Sequence, residues 1–240
     1  MSVIPSPIPS QGSNTAGEAG TFVDPALLRK RSSYFFFKRC FDIALSISLL
    51  IGLLPLWLLL ALLVRLDSRG PILFVNQVVG KNGVGFPLYK FRSMRWLPPS
   101  TDEHHDILRN VQQGAPTRTQ DGKPVFKTAL VDEWRITKVG RWLRSTSLDE
   151  VPQLWNVLRG QMSIVGPRPS LPVEVRLYQD WQKQRLLVTP GLTGLYQVTA
   201  RHRVPIEEMV RIDLEYIRRQ SFLLDAEIML KTPRAMLSGI

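Results

Sequence analysis

From Ile43 to Val64 the chain reads IALSISLLIGLLPLWLLLALLV, 22 residues without a charge. As one helix this run reaches about 33 Å, close to the thickness of a bilayer's hydrocarbon layer. A core helix of a small soluble domain rarely stays uncharged for so long, so insertion into a membrane is the expectation. Lys38 and Arg39 precede the run, and Arg65 and Arg69 follow it. A straight span would leave one of these basic flanks outside, against the positive-inside tendency. Pro55, near the middle, removes a backbone donor and predicts a kink. A helix bent there enters and leaves on one face, with both basic flanks in the cytoplasm. The re-entrant and spanning arrangements both fit the run itself.

The chain of 240 residues suits one domain with tails. Its net charge of +11 asks for an anionic partner: nucleic acid, an acidic membrane surface or a phosphorylated substrate. Nucleic acid is disfavoured, because the basic residues are interleaved with acids rather than gathered in a stripe, and because it leaves the apolar run unexplained. The single cysteine, Cys40, excludes an intrachain disulfide and reads as a small buried hydrophobe.

Residues 1–33 are rich in Ser, Pro, Gly and Ala and read as a disordered tail, without the basic start and apolar stretch of a signal peptide. Residues 34–69 read as the membrane-inserted segment, and 70–240 as one folded domain. Within it, 72–94 is the best strand region. Gly80, Asn82, Gly83 and Gly85 mark a hairpin turn rather than a phosphate-cradling loop, since no helix pattern follows. The polar stretch 95–130 reads as a partly mobile insertion, in which His104 and His105 are solvated rather than metal-bound. Beyond Asp132, Leu148, Val151, Leu154, Trp155 and Leu158 recur at helical spacing, with Gly160 placed to end that helix. Further helices are expected over 172–187, 205–220 and 222–237. Such basic amphipathic helices either lie in the membrane interface or pack on the domain's own core. The pattern predicts a mainly α fold with a small β-hairpin: a membrane-inserted helix, re-entrant or spanning, and amphipathic helices packed on a compact domain.

Chemically capable residues are densest in RWLRSTSLDEVPQLWNVLRGQMSIVGPRP, from Arg141 to Arg168 and Pro169. Ser147 to Glu150 has the form of a capping box. Pro152 fits that register poorly and fits Asp149 as N-cap better; the two registers stay open, and both put Asp149 and Glu150 at a helix N-terminus. An adjacent acid pair is usually a capping or solvated feature. Here the neighbours suggest more. An Asp can act as a nucleophile toward phosphorus, a Glu can hold Mg²⁺, and arginine forks suit phosphate oxygens. Arg168 sits between two prolines in a stiff, extended setting. Pro190 to Gly194 reads as a structural turn.

These stretches resemble one family. KRCFDIALS at 38–46, KFRSM at 90–94, RSTSLDEVPQLWNVLRGQMSIVGPRP at 144–169, PGLTGLYQV at 190–198 and the region around Asp225 occur in the order found in monotopic phosphoglycosyl transferases, the bacterial sugar transferases. LDEVPQLWNVL followed by SIVGPRP is the most specific part. The resemblance implies a membrane helix broken at Pro55 and a catalytic domain on the cytoplasmic face of the bacterial inner membrane. It implies a ping-pong transfer of sugar phosphate from a UDP-sugar to polyprenyl phosphate, with UMP released. Asp149 would be the nucleophile and Glu150 a Mg²⁺ ligand. Arg144, Arg168 and Lys90 would meet phosphates, and Arg92 and Asp225 would be further polar residues of the active site. The lipid bilayer is an implied partner; self-association or glycan-assembly partners are left open. The chain departs from the family pattern at Leu54, where members often carry Ser, and resembles the minimal form of the family. A membrane-anchored scaffold without catalysis is the competing class, and predicts that Asp149→Asn leaves function intact.

Overall fold

The computed structural model describes residues 23–96, 118–120, 123–125, 133–200 and 203–237. Helix α1 spans Pro25–Lys30, α2 Ser32–Gly52 and α3 Leu54–Asp67. Strands β1 (Leu73–Val79) and β2 (Gly85–Phe91) follow, then the short strands β3 (Arg118–Gln120) and β4 (Lys123–Val125). Next come α4 (Lys138–Thr146), α5 (Gln153–Leu158), β5 (Ser163–Val165), α6 (Pro172–Arg176), α7 (Asp180–Lys183) and β6 (Gly191–Thr193). Helices α8 (Leu195–Thr199), α9 (Ile206–Arg219) and α10 (Phe222–Leu237) complete the chain. The fold is mostly helical with a small antiparallel hairpin, as the pattern predicts.

Helix α2 is amphipathic in an inverted sense. Lys38, Asp42 and Ser46, four residues apart on one face, are buried, while Phe36, Phe37, Phe41, Ile47 and Ile51 are exposed. Lys38 and Asp42 are satisfied by the rest of the molecule. Lys38 Nζ pairs with Asp225 at 2.6 Å, and Asp42 accepts from the Ile164 N–H at 2.9 Å. Arg39 donates to the Val157 and Leu158 carbonyls at 2.6 and 2.7 Å, closing the C-terminus of α5. This half of α2 is therefore riveted to the domain.

At Leu53 the helix axis turns by 64° into α3. Pro55 lies in the first turn of α3, where its missing N–H costs little, and its ring prevents the helix from running straight through. Among the described residues no single helix is long and apolar enough to cross a membrane, whereas the bent pair together has the length and composition. Leu60 and Val64 of α3 are buried against Phe91 and Leu143, while Leu58, Leu59, Leu62 and Leu66 point outward.

The hairpin pairs Leu73 with Phe91 through to Val79 with Gly85. Its turn places Asn82 (φ 56°) and Gly83 (φ 76°) in the left-handed region, which Asn and Gly tolerate best. On β2 the side chains of Phe86, Leu88 and Lys90 share one face, so the strand that buries two apolar groups in the main core delivers a cation where that core ends. Strands β5 and β6 pair in parallel, Ser163 with Gly191 and Val165 with Thr193. Here backbones touch. A Cβ on Gly191 would lie 2.1 Å from the Gly166 N, so the PGLTG turn is structural, as expected.

Four expectations are corrected. Val23 is buried, its N–H donating to Gln184 at 2.7 Å, and α1 occupies 25–30, so the end of the segment assigned to a disordered tail is ordered. Asp24 caps α1 and Pro25 starts it, which gives that end its structure. Cys40 is exposed, because it falls on the outward face of α2 beside Phe36, Phe37 and Phe41. The helix expected over 172–187 is broken: α6 stops at Arg176, Gln179 adopts an extended N-cap geometry with Gln182 bonded back to its N–H, and Gln184–Leu187 is a 3-10 turn. Neither capping register at Ser147 or Asp149 holds. Ser147 ends α4 in a left-handed conformation (φ 55°), Leu148–Glu150 is a 3-10 turn, and α5 begins only after Pro152. The proline, lacking an N–H, is accommodated at the helix edge. Most of 95–130, including His104 and His105, lies outside the described residues; within it β3 and β4 form a short antiparallel pair.

Candidate active site

A cavity of about 550 Å³ opens where the hairpin, the Leu148–Glu150 turn and the loop after β5 meet. Its polar end carries Lys90 from β2, Arg144 from α4, Asp149 and Glu150 from the 3-10 turn, and Arg168 from the GPRP loop. Its other walls are mostly apolar and include Leu45 and Leu49 of α2, Leu53 at the bend, and Met229 and Met236 of α10.

Each polar residue is held by its surroundings. Gly140 lets α4 approach β2's continuation closely, since a Cβ there would lie 1.9 Å from the Ser93 carbonyl oxygen. That contact brings Arg144 Nε to Ser93 Oγ at 2.9 Å. Lys90 Nζ lies 3.0 Å from Glu150 Oε1, with both side chains partly exposed to the cavity. Arg168 Nη1 lies 3.6 Å from Glu174, whose other oxygen accepts from the Leu171 N–H at 2.8 Å.

Asp149 is strongly perturbed. Its pKa is raised to about 6, first by burial and then by the neighbouring Glu150 carboxylate; Lys90 and Arg144 pull it back down. At neutral pH it is ionised but poorly solvated and faces cations, a state suited to attack on an electron-poor centre.

Two expected site residues lie elsewhere. Arg92 is buried, and its guanidinium donates to the carbonyls of Ser68, Arg69 and Val64 at 2.5, 2.8 and 3.3 Å, so it closes the end of α3. Asp225 accepts from Lys38 at 2.6 Å, Tyr34 at 2.7 Å and Tyr216 at 2.8 Å, and so fastens α2 to α9 and α10. Neither residue lines the cavity. Conversely, Ser93, Glu174 and a buried group around Arg185 support the site and escaped the sequence reading. Ser93 meets Arg144 and Arg185 meets Ser170 and Asp213 across long stretches of chain, beyond any local pattern.

Fold and site place a buried Asp149 and a partly exposed Glu150 in one cavity with Lys90, Arg144 and Arg168, beside the bend between α2 and α3. The chain belongs to the bacterial sugar transferase family, whose model matches residues 33–239. It is 41% identical over 210 residues to the undecaprenyl-phosphate galactose phosphotransferase of Salmonella typhimurium, covering 88% of this chain and 42% of that protein. It is 39% identical over 196 residues to the exopolysaccharide production protein ExoY of Sinorhizobium fredii, covering 81% of this chain and 83% of that one. The undecaprenyl-phosphate glucose phosphotransferase of Komagataeibacter xylinus is 39% identical over 207 residues, 81% of this chain and 35% of that protein. The chain thus spans less than half of the Salmonella and Komagataeibacter proteins.

Proposed function

We propose that this chain transfers a sugar 1-phosphate from a UDP-sugar to polyprenyl phosphate at the cytoplasmic face of the bacterial inner membrane, initiating exopolysaccharide or another glycan. The observation that carries this reading is one cavity joining the buried Asp149 and the partly exposed Glu150, faced by Lys90, Arg144 and Arg168, to an apolar wall on α2 and its bend at Leu53. The relatives' names, two of them undecaprenyl-phosphate sugar phosphotransferases, favour the same reading. The outward leucines of α3 suit acyl chains, and the sharp bend favours a re-entrant helix with both ends on one face.

The donor's diphosphate binds among the three cations. A carboxylate oxygen of Asp149 attacks the β-phosphorus. The bond from that phosphorus to the bridging oxygen breaks, UMP departs, and the sugar phosphate remains as an acyl phosphate on Asp149. An oxygen of polyprenyl phosphate then attacks the same phosphorus. The Asp149 carboxylate leaves, and the product is a polyprenyl diphosphosugar. Positioning and charge neutralisation by Lys90, Arg144 and Arg168 supply most of the barrier lowering.

The donor set fits Mg²⁺. Glu150 is partly exposed beside Asp149, and the described residues hold no cluster of three acids or histidines. Mg²⁺ commonly takes one or two carboxylates and completes its shell with phosphate oxygens and water. Glu150 would hold it, and once bound it would neutralise charge on the pyrophosphate.

The test is a UMP-release screen of detergent-solubilised protein over a panel of UDP-sugars, with undecaprenyl phosphate and Mg²⁺. Release with at least one sugar, abolished in Asp149→Asn, is expected. An Asp149→Asn protein as active as wild type, or no release from any donor, would overturn the proposal in favour of a scaffold.

A further inference from the structure

Behind the GPRP loop lies a buried ion pair that the chemistry above does not use. Arg185, in the Gln184–Leu187 turn, is 2% exposed, and Asp213, on α9, is 0% exposed. The two form a salt bridge through Arg185 Nη2. The same nitrogen donates to the backbone carbonyl of Arg168 at 2.9 Å. Nη1 donates to Ser170 Oγ at 3.0 Å and to the Tyr178 hydroxyl at 2.6 Å, and that hydroxyl is 3.2 Å from Ser170 Oγ. Ser170 is in turn paired with β1, its carbonyl accepting from the Val79 N–H at 2.8 Å. None of Arg185, Asp213, Tyr178 or Ser170 lines the cavity.

A fully buried ion pair is a weak device for stability, because an apolar replacement of similar volume often does as well. It is a strong device for fixing geometry. The guanidinium fork reaches acceptors on two residues of one loop, Arg168 and Ser170, which a lysine could not do with the same rigidity. Pro167 and Pro169 stiffen the backbone on either side of Arg168, so fixing its carbonyl fixes the direction in which its side chain leaves the loop.

We infer that Arg185 and Asp213 are positioning residues that act through Arg168, holding its guanidinium at the phosphate end of the cavity. The inference rests on the phosphate-transfer reading for the class of ligand, an organic pyrophosphate.

The experiment is a double-mutant cycle on the full chain in detergent, read as the affinity for UDP, which requires no turnover. Arg185→Lys keeps the charge and loses the fork; it should weaken UDP binding about tenfold in the wild-type background and by less than about twofold when Arg168 is already Ala. Tyr178→Phe removes only the hydroxyl that steers Arg185, preserves packing, and should repeat the pattern at about two- to threefold. It keeps the test open should Arg185→Lys fail to fold. Equal weakening in both backgrounds overturns the inference, as does a lowered melting temperature with unchanged UDP affinity, or a wild type that binds no UDP. Protein that binds UDP and shows the expected cycle yet releases no UMP overturns the transfer reading alone.

Discussion

Replacing Asp149 by Asn should stabilise the fold while destroying the activity. The folded protein holds this carboxyl's pKa near 6 against an ordinary 3.8, chiefly through burial and secondly through Glu150. A difference of that size corresponds to roughly 3 kcal/mol of destabilisation by the ionised form, fully developed above pH about 6. The sign follows from proton affinity. The folded state binds this proton more tightly than the unfolded chain, so the penalty is absent below pH about 4, grows between 4 and 6, and is constant above. A neutral amide avoids the charge but keeps some desolvation cost, leaving a net gain of about 1–2 kcal/mol, or about 2–8 °C in Tm for a domain of this size. The assay is thermal unfolding in detergent at pH 7.5 and at pH 4. The variant should melt higher at pH 7.5 and the gap should close at pH 4, while UMP release falls by roughly 10³-fold or more. A variant no more stable than wild type at pH 7.5, or a gap independent of pH, would refute the reasoning.

Three further outcomes follow from the same geometry. UMP release per unit of donor, read as kcat/KM, should decline with unit slope below pH about 6 as Asp149 takes up its proton; a profile flat to pH 5 would contradict its role as nucleophile. Arg92→Ala should cost about 2–4 kcal/mol by leaving the carbonyls at the end of α3 without their donor, yet UDP affinity in calorimetry should not change. Asp225→Leu should cost about 3–5 kcal/mol by stranding Lys38, and adding Lys38→Met should recover much of it; denaturant titrations of the single and double variants give the answer.

Local features of the chain were legible because local physics decides them. The hairpin announced itself through Gly80, Asn82 and Gly83, whose turn needs the left-handed region. Helices α9 and α10 fell within a residue of their expected bounds, since their apolar spacing is uninterrupted. The bend at Leu53 followed from Pro55 in a run with no other interruption of its kind. What stayed hidden was long-range. Arg92 and Asp225 sit in recognisable stretches beside capable neighbours, but Arg92 falls just past the end of β2, where the carbonyls of Ser68 and Arg69 claim its guanidinium, and Asp225 is claimed by Lys38, Tyr34 and Tyr216. Arg185 carries no local signal, because its partners come from three separate segments. The broken helix over 172–187 was misread for a related reason: apolar residues continue at helical spacing, while the Gln179–Gln182 pair restarts the chain in a new direction.

The covalent step can be seen without an acceptor. Purified protein would be incubated with UDP-sugars and Mg²⁺ but no polyprenyl phosphate, quenched, digested and analysed by peptide mass spectrometry. The account predicts that the peptide containing Asp149 gains the mass of one sugar phosphate, and that polyprenyl phosphate added before quenching removes it. UMP formed only when polyprenyl phosphate is present, with that peptide unmodified for every donor, would contradict the claim that Asp149 carries the transferred group.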